Sequence, residues 1–78
     1  MAHAELDDQT AEAERQYRIT ENLRSRDMTD ANRHRLQVSE RRLHSLLAAL
    51  TPPQFLAYAR ATVAWDEERN AADKAANG

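Results

Sequence analysis

Hydrophobic residues recur along this chain with a helical period, most regularly between residues 30 and 50. Leu36, Leu43 and Leu50 stand seven residues apart, and Leu46 and Leu47 fill the intermediate position. At 100° per residue these leucines span an arc of about 100°, the width of a core-facing stripe. Arg35 and Arg42 flank the stripe, where their aliphatic stems cover apolar surface. One turn earlier the intermediate position holds Ser39 and Glu40, so the seam turns polar at mid-length. Val38 points away from it.

The next stretch is broader. Phe55, Ala59, Thr62 and Val63 form one stripe, Leu56 widens it on one side, and Tyr58 and Trp65 widen it on the other. The apolar face covers roughly half the circumference. A face that wide needs two neighbours, or one neighbour and a partner chain. Between the two stretches lies Leu50-Thr51-Pro52-Pro53-Gln54. Thr51 suits an N-cap, Pro52 the first helical position, and Gln54 completes a capping box. Proline also pushes the residue before it out of the helical region, so one helix ends near Leu50 and another begins at Pro52.

The N-terminal stretch reads as a helix over about 4–26 with a thin stripe of Leu6, Ala13, Tyr17, Thr20 and Leu23, and Ile19 lies off it. Glu5, Asp7, Asp8, Glu12 and Glu14 precede Arg15, Arg18, Arg24 and Arg26, the order a helix dipole favours. Asp27-Met28-Thr29-Asp30 offers N-cap residues without glycine or proline. A break is expected there, the alternative being one bent helix as far as Leu50. The expected elements are thus helices over about 4–26, 30–50 and 52–72, with a frayed tail over 73–78, in a single helical domain of 1–78. No repeat or linker interrupts them. The expected fold class is all-α: a short bundle in which helices 2 and 3 form an antiparallel hairpin, helix 1 packs back across it or projects to a partner, and dimerisation completes the core.

Composition narrows this further. The only glycine is Gly78, which removes glycine-rich phosphate loops and tight hairpins. A chain of 78 residues buries only about 60% of the surface its unfolded form exposes. With no cysteine for a disulfide, oligomerisation is the usual remaining support. A homodimer is therefore expected, through the seam Leu36, Leu43, Leu46, Leu47 and Leu50 or through the Tyr58/Trp65 flank. The N-terminus lacks the order of a signal peptide and no run is long enough to span a membrane, which points to a cytoplasmic protein. Ten of the eleven basic residues are arginine, which with the alanine content suggests a GC-rich source such as a bacterium or phage.

Candidate chemistry is sparse. His34 and His44 stand ten apart, so neither zinc-binding helical spacing occurs, and Glu40 is expected to partner His44 and Arg41 on a solvated surface. The carboxylate groups Asp7-Asp8, Glu12/Glu14 and Asp66-Glu67-Glu68 read as solvated faces, since acid–base work needs a cleft that separates their pKa values. Ser25, Ser39 and Ser45 lack a nucleophile elbow. No enzyme activity, metal or cofactor is expected.

Charge is uneven: −5 over residues 1–14, +4 over 15–50 and −1 over 51–78, for a net −2. Arg24, Arg26, Arg33, Arg35, Arg41 and Arg42 are candidate nucleic-acid contacts, although they scatter around the helix and the chain is mildly acidic. The segment 46–56 resembles the helix, Leu-Thr-Pro, helix rhythm that opens several bacterial helix-turn-helix domains. Where a recognition helix would follow, Asp66-Glu67-Glu68 would repel phosphate.

Tyr58 and Trp65, bordered by Glu68 and Arg69, are the expected protein contact, because tyrosine and tryptophan are enriched at binding hot spots. The sequence reading is a small protein-binding regulator or inhibitor that occludes a site on a larger protein. Phage inhibitors and antitoxin-like proteins share its size and its lack of catalytic groups. The alternatives are a DNA-binding regulator using the arginines of 15–42, or a subunit that folds fully only in a complex.

Overall fold

The computed structural model describes residues 6–77 and contains three helices: α1 Asp8–Arg24, α2 Asp30–Ala48 and α3 Pro52–Asn77. The expected start of helix 1 near residue 4 falls partly outside the described residues; α1 begins at Asp8, where Asp7 caps it. Asp7 Oδ1 accepts the Thr10 backbone N–H at 2.7 Å. The break between α1 and α2 is real. Ser25 closes α1 in a right-handed conformation, and Thr29 caps α2 by accepting the Asn32 N–H at 3.2 Å. No described residue has a positive φ, so these helices end without left-handed caps.

The capping box at α3 forms in both directions. The Thr51 N–H donates to Gln54 Oε1 at 2.8 Å, and the Gln54 N–H donates to Thr51 Oγ1 at 3.4 Å. At its other end α3 differs from expectation. It runs through residues 73–77, where a frayed tail was predicted. Ala71, Ala72, Ala75 and Ala76 are strong helix formers, and Lys74 complements the dipole in the last turn.

The pairing of helices also departs from the expected hairpin. Contacts between α1 and α2 join Gln9 to Ala49, Gln16 and Thr20 to Ser39, and Arg24 to Glu40, so the two run antiparallel. Contacts between α1 and α3 join Asp7 to Gln54, Tyr17 to Tyr58 and Asp66, and Arg18 to Trp65, so these run parallel. Helices α2 and α3 therefore point in opposite senses, but each packs on α1 and they hardly touch one another. Seen down α1, its two neighbours leave in directions roughly a third of the circumference apart. The result is an open V with α1 at the vertex, spanning 35 × 33 × 15 Å.

Its interior is polar. Among described residues the buried apolar side chains are Ala13 and Tyr58, while Thr10, Glu14, Gln16, Thr20, Ser39 and Thr62 are also buried. The mid-length interruption of the α2 seam is explained by a hydroxyl chain. Thr20 Oγ1 donates to the Gln16 carbonyl, so Ser39 Oγ must donate to Thr20 Oγ1, at 2.7 Å, while accepting from Gln16 Nε2 at 2.7 Å. Arg42 extends the chain by donating to Gln16 Oε1 at 3.1 Å and to Glu12 Oε1 at 2.8 Å. Small residues on α1 let both neighbours approach closely, and hydrogen bonds replace the side-chain volume a larger core would supply.

Candidate functional site

The two apolar flanks of α3 have different fates. The first turns to α1. Tyr58 is buried and meets Tyr17 edge-on at 6.1 Å, and Tyr17 meets Trp65 edge-on at 5.9 Å. The Tyr17 hydroxyl donates to Asp66 Oδ2 at 2.7 Å. Burial and this bond to a carboxylate push the Tyr17 phenol well above its ordinary pKa. Tyr58 is raised by burial and by the nearby Glu21, Asp66 and Glu14 carboxylates. Both rings stay neutral and serve the contact between α1 and α3.

Of the four residues expected at a protein contact, Tyr58 is thus inside the chain, and Trp65 is half-buried. Arg18 and Arg69 stack over the Trp65 ring at 5.9 and 4.8 Å. Arg69 Nη1 is buried without a hydrogen-bond partner among the described residues. Glu68 is exposed. It joins Trp65, Glu14, Arg18, Arg60 and three alanines of α3 in lining an open cleft of about 460 Å³ between α1 and α3. Its apolar lining is Leu6, Ala57, Ala61, Ala64 and Trp65, and Glu14, Arg18, Arg60 and Glu68 bring charges of both signs.

The second flank faces solvent. Phe55 is 48% exposed, Leu56 52% and Val63 55%, and Pro52 and Ala59 continue the same stripe. Leu50, Pro52, Phe55, Leu56 and Ala59 line a shallow apolar depression beside the α2–α3 corner. Farther along, Ala59, Val63 and Ala64 lie between Arg60 and Glu67. The sequence contained this stripe, but periodicity alone could not say which side of a broad apolar face α1 would cover. Ile19, Met28 and Val38 are also exposed, singly, on other surfaces.

The leucine seam of α2 is placed differently again. Leu36, Leu43, Leu46 and Leu47 are half-buried and share their side of the helix with Ser39, which bonds to α1, and Leu50, also half-buried, lies just beyond the end of α2. The seam expected to meet a second copy is therefore the side of α2 turned towards α1.

The arginines divide. Arg24 bridges Glu21 at 2.8 Å and Glu40 at 3.1 Å, which replaces the expected partnership of Glu40 with His44 and Arg41. Arg42 bridges Glu12, and Arg33 lies 3.9 Å from Asp30. Arg26, Arg35 and Arg41 are exposed and make no ion pair among the described residues. The structure does not gather the six into one strip. No group of three or more His, Asp or Glu placed to hold a metal occurs among the described residues, and none of the described helices is long and apolar enough to cross a membrane. Comparison with protein-family models, with curated proteins and with solved structures finds no match to this chain.

Proposed function

We propose that this chain is a non-enzymatic protein-binding regulator or inhibitor, which acts by covering a site on a larger protein and self-associates to complete its own fold. One observation carries the reading: the chain buries threonine, serine and glutamine and leaves Phe55, Leu56 and Val63 about half exposed. Large apolar side chains collected on one stripe mark an interaction surface, whereas single exposed ones need no explanation. The cleft at Trp65 offers a foreign protein an apolar lining together with charges of both signs, as the core and border of an interface do.

Nucleic-acid binding receives less support, because Arg24 and Arg42 are engaged in ion pairs within the chain. Affinity capture from the native cell tests the proposal. Trp65 is the only tryptophan, so its fluorescence reports on the cleft once a captured protein has been purified. A partner whose binding shifts that fluorescence, and is lost in Glu68→Lys, supports the reading. A partner that binds without either effect would remove the cleft assignment.

A further inference from the structure

We propose that a basic surface, formed by α1 and α2 on the side away from α3, binds a short acidic segment of another protein. This surface is separate from the Trp65 cleft and does not depend on it.

Helical register places the surface. Tyr17 meets α3, and Ile19 follows two residues later, about 200° around α1 and so on the opposite side. Glu12 stands seven residues before Ile19 on the same line of α1, and Arg15 lies one turn before Ile19 beside it. On α2, Arg35 and Arg42 also stand seven apart. The two lines meet where Arg42 Nη2 donates to Glu12 Oε1 at 2.8 Å. Because α1 and α2 run antiparallel, Arg35 comes level with Ile19 one heptad along from that bond. Arg26, in the turn that joins the two helices, adds a fourth cation at that end of the junction.

Charge decides what this surface attracts. Arg15, Arg26 and Arg35 are exposed and make no ion pair among the described residues. Arg42 donates to Gln16 and Glu12, yet its side chain remains 59% exposed. Those two bonds orient its guanidinium before any partner arrives, so less freedom is lost on binding. Four arginines against the carboxylate of Glu12 leave +3, on a chain whose total charge is −2. Arginine forks bind carboxylates and phosphates, so the occupant is an anion.

Two features favour carboxylates of a protein over the phosphates of a nucleic acid. The surface is short. Asp8 lies one turn before Glu12 on α1, and Asp27 follows Arg26. A phosphate backbone, charged every ~1.7 Å of duplex, would run on into these carboxylates, whereas an acidic segment can end before them. The middle of the surface is also apolar. A lone exposed isoleucine signifies nothing by itself. Ringed by arginines, Ile19 offers a contact to an apolar side chain that a sugar-phosphate backbone lacks. The four aromatic residues all lie on α3 or at its contact with α1, so no ring here stacks on a base.

Fluorescence anisotropy with two labelled probes tests the proposal on the full chain. One probe is a short peptide of aspartate and glutamate around a central leucine, and the other is a DNA duplex of mixed sequence. The peptide should bind, and more weakly as salt rises. Arg15→Glu and Arg35→Glu should each raise its Kd by ~10-fold or more. Arg33→Glu makes the same change in net charge on the opposite side of α2, two residues from Arg35, and should alter Kd by less than ~3-fold. All three positions are exposed, so helical circular dichroism should be unchanged. A peptide that fails to bind overturns the proposal, as does equal loss of affinity in Arg33→Glu and Arg35→Glu. Tighter binding of the duplex than of the peptide at physiological salt would overturn it too, assigning the surface to nucleic acid.

Discussion

Ser39 stands where the leucine seam of α2 is interrupted, and its hydroxyl is the junction between α1 and α2. It accepts from Gln16 and donates to Thr20, both buried. Removing it leaves the buried Gln16 Nε2 without its acceptor and takes from the Thr20 hydroxyl one of its two bonds, which costs more than a hydrogen bond is worth on balance. Ser39→Ala should therefore destabilise the fold by about 1–3 kcal/mol in urea unfolding. Val38→Ala, one residue away on the exposed face, should change it by less than about 0.5 kcal/mol. Equal effects would show that the hydroxyl chain is not a structural feature.

The two tyrosines tie the contact between α1 and α3 to alkaline pH. Both phenols are held above their ordinary pKa, Tyr17 chiefly by burial and then by its bond to Asp66, Tyr58 chiefly by burial. The unfolded phenol titrates near pH ~10. The folded state therefore prefers the neutral ring, and this stabilisation is complete below the unfolded value and lost as pH rises towards the folded ones. Alkaline titration should show tyrosinate absorbance appearing late and together with loss of helical signal. Tyrosinate appearing at its ordinary pH in a fully folded chain would contradict the packing of α1 on α3.

The helix ends are secured mostly by short-range chemistry, and Gln54 also ties two of them together. Besides completing the α3 capping box, it donates to Asp7 Oδ2 and Gln9 Oε1, each at 3.2 Å. Asp7 in turn caps α1, and those hydrogen bonds, that of the Thr10 N–H foremost, hold its carboxyl below the usual range. That contribution is present above the unfolded pKa and disappears as pH falls through the folded one, so acid should fray α1 from its start. Thr51→Ala should cost about 0.5–2 kcal/mol and lower the protection of the first α3 amides against hydrogen exchange. Unchanged protection would mean that tertiary packing alone fixes this end.

These ends were the most legible part of the sequence. Thr51-Pro52-Pro53-Gln54 marks its boundary through local rules that no distant contact overrides. The far end of α3 was harder to read, because alanines have nothing to bury and their helix propensity alone carries the helix onward. The arrangement of helices was not legible. A stripe of leucines shows that α2 faces something, but the choice of α1 as that neighbour depends on Gln16, Thr20 and Ser39, polar residues that periodicity assigns to no side. For the same reason Tyr58 read as an intermolecular contact, when α1 covers it and leaves Phe55, on the same broad face, half exposed.

At the scale of the molecule, the polar interior and the apolar stripe of α3 are the features on which the proposed self-association rests. An open V of three helices, 15 Å thin, has fewer ways to remove apolar surface from water than a closed bundle of equal length. If the chain self-associates as proposed, association contributes to folding by mass action, and apparent stability rises with protein concentration. Urea unfolding followed by circular dichroism, repeated over roughly a hundredfold range of concentration, tests this directly. The midpoint should increase with concentration in the wild type and be flat in Leu56→Lys. A cooperative transition at one concentration-independent midpoint in both proteins would contradict it.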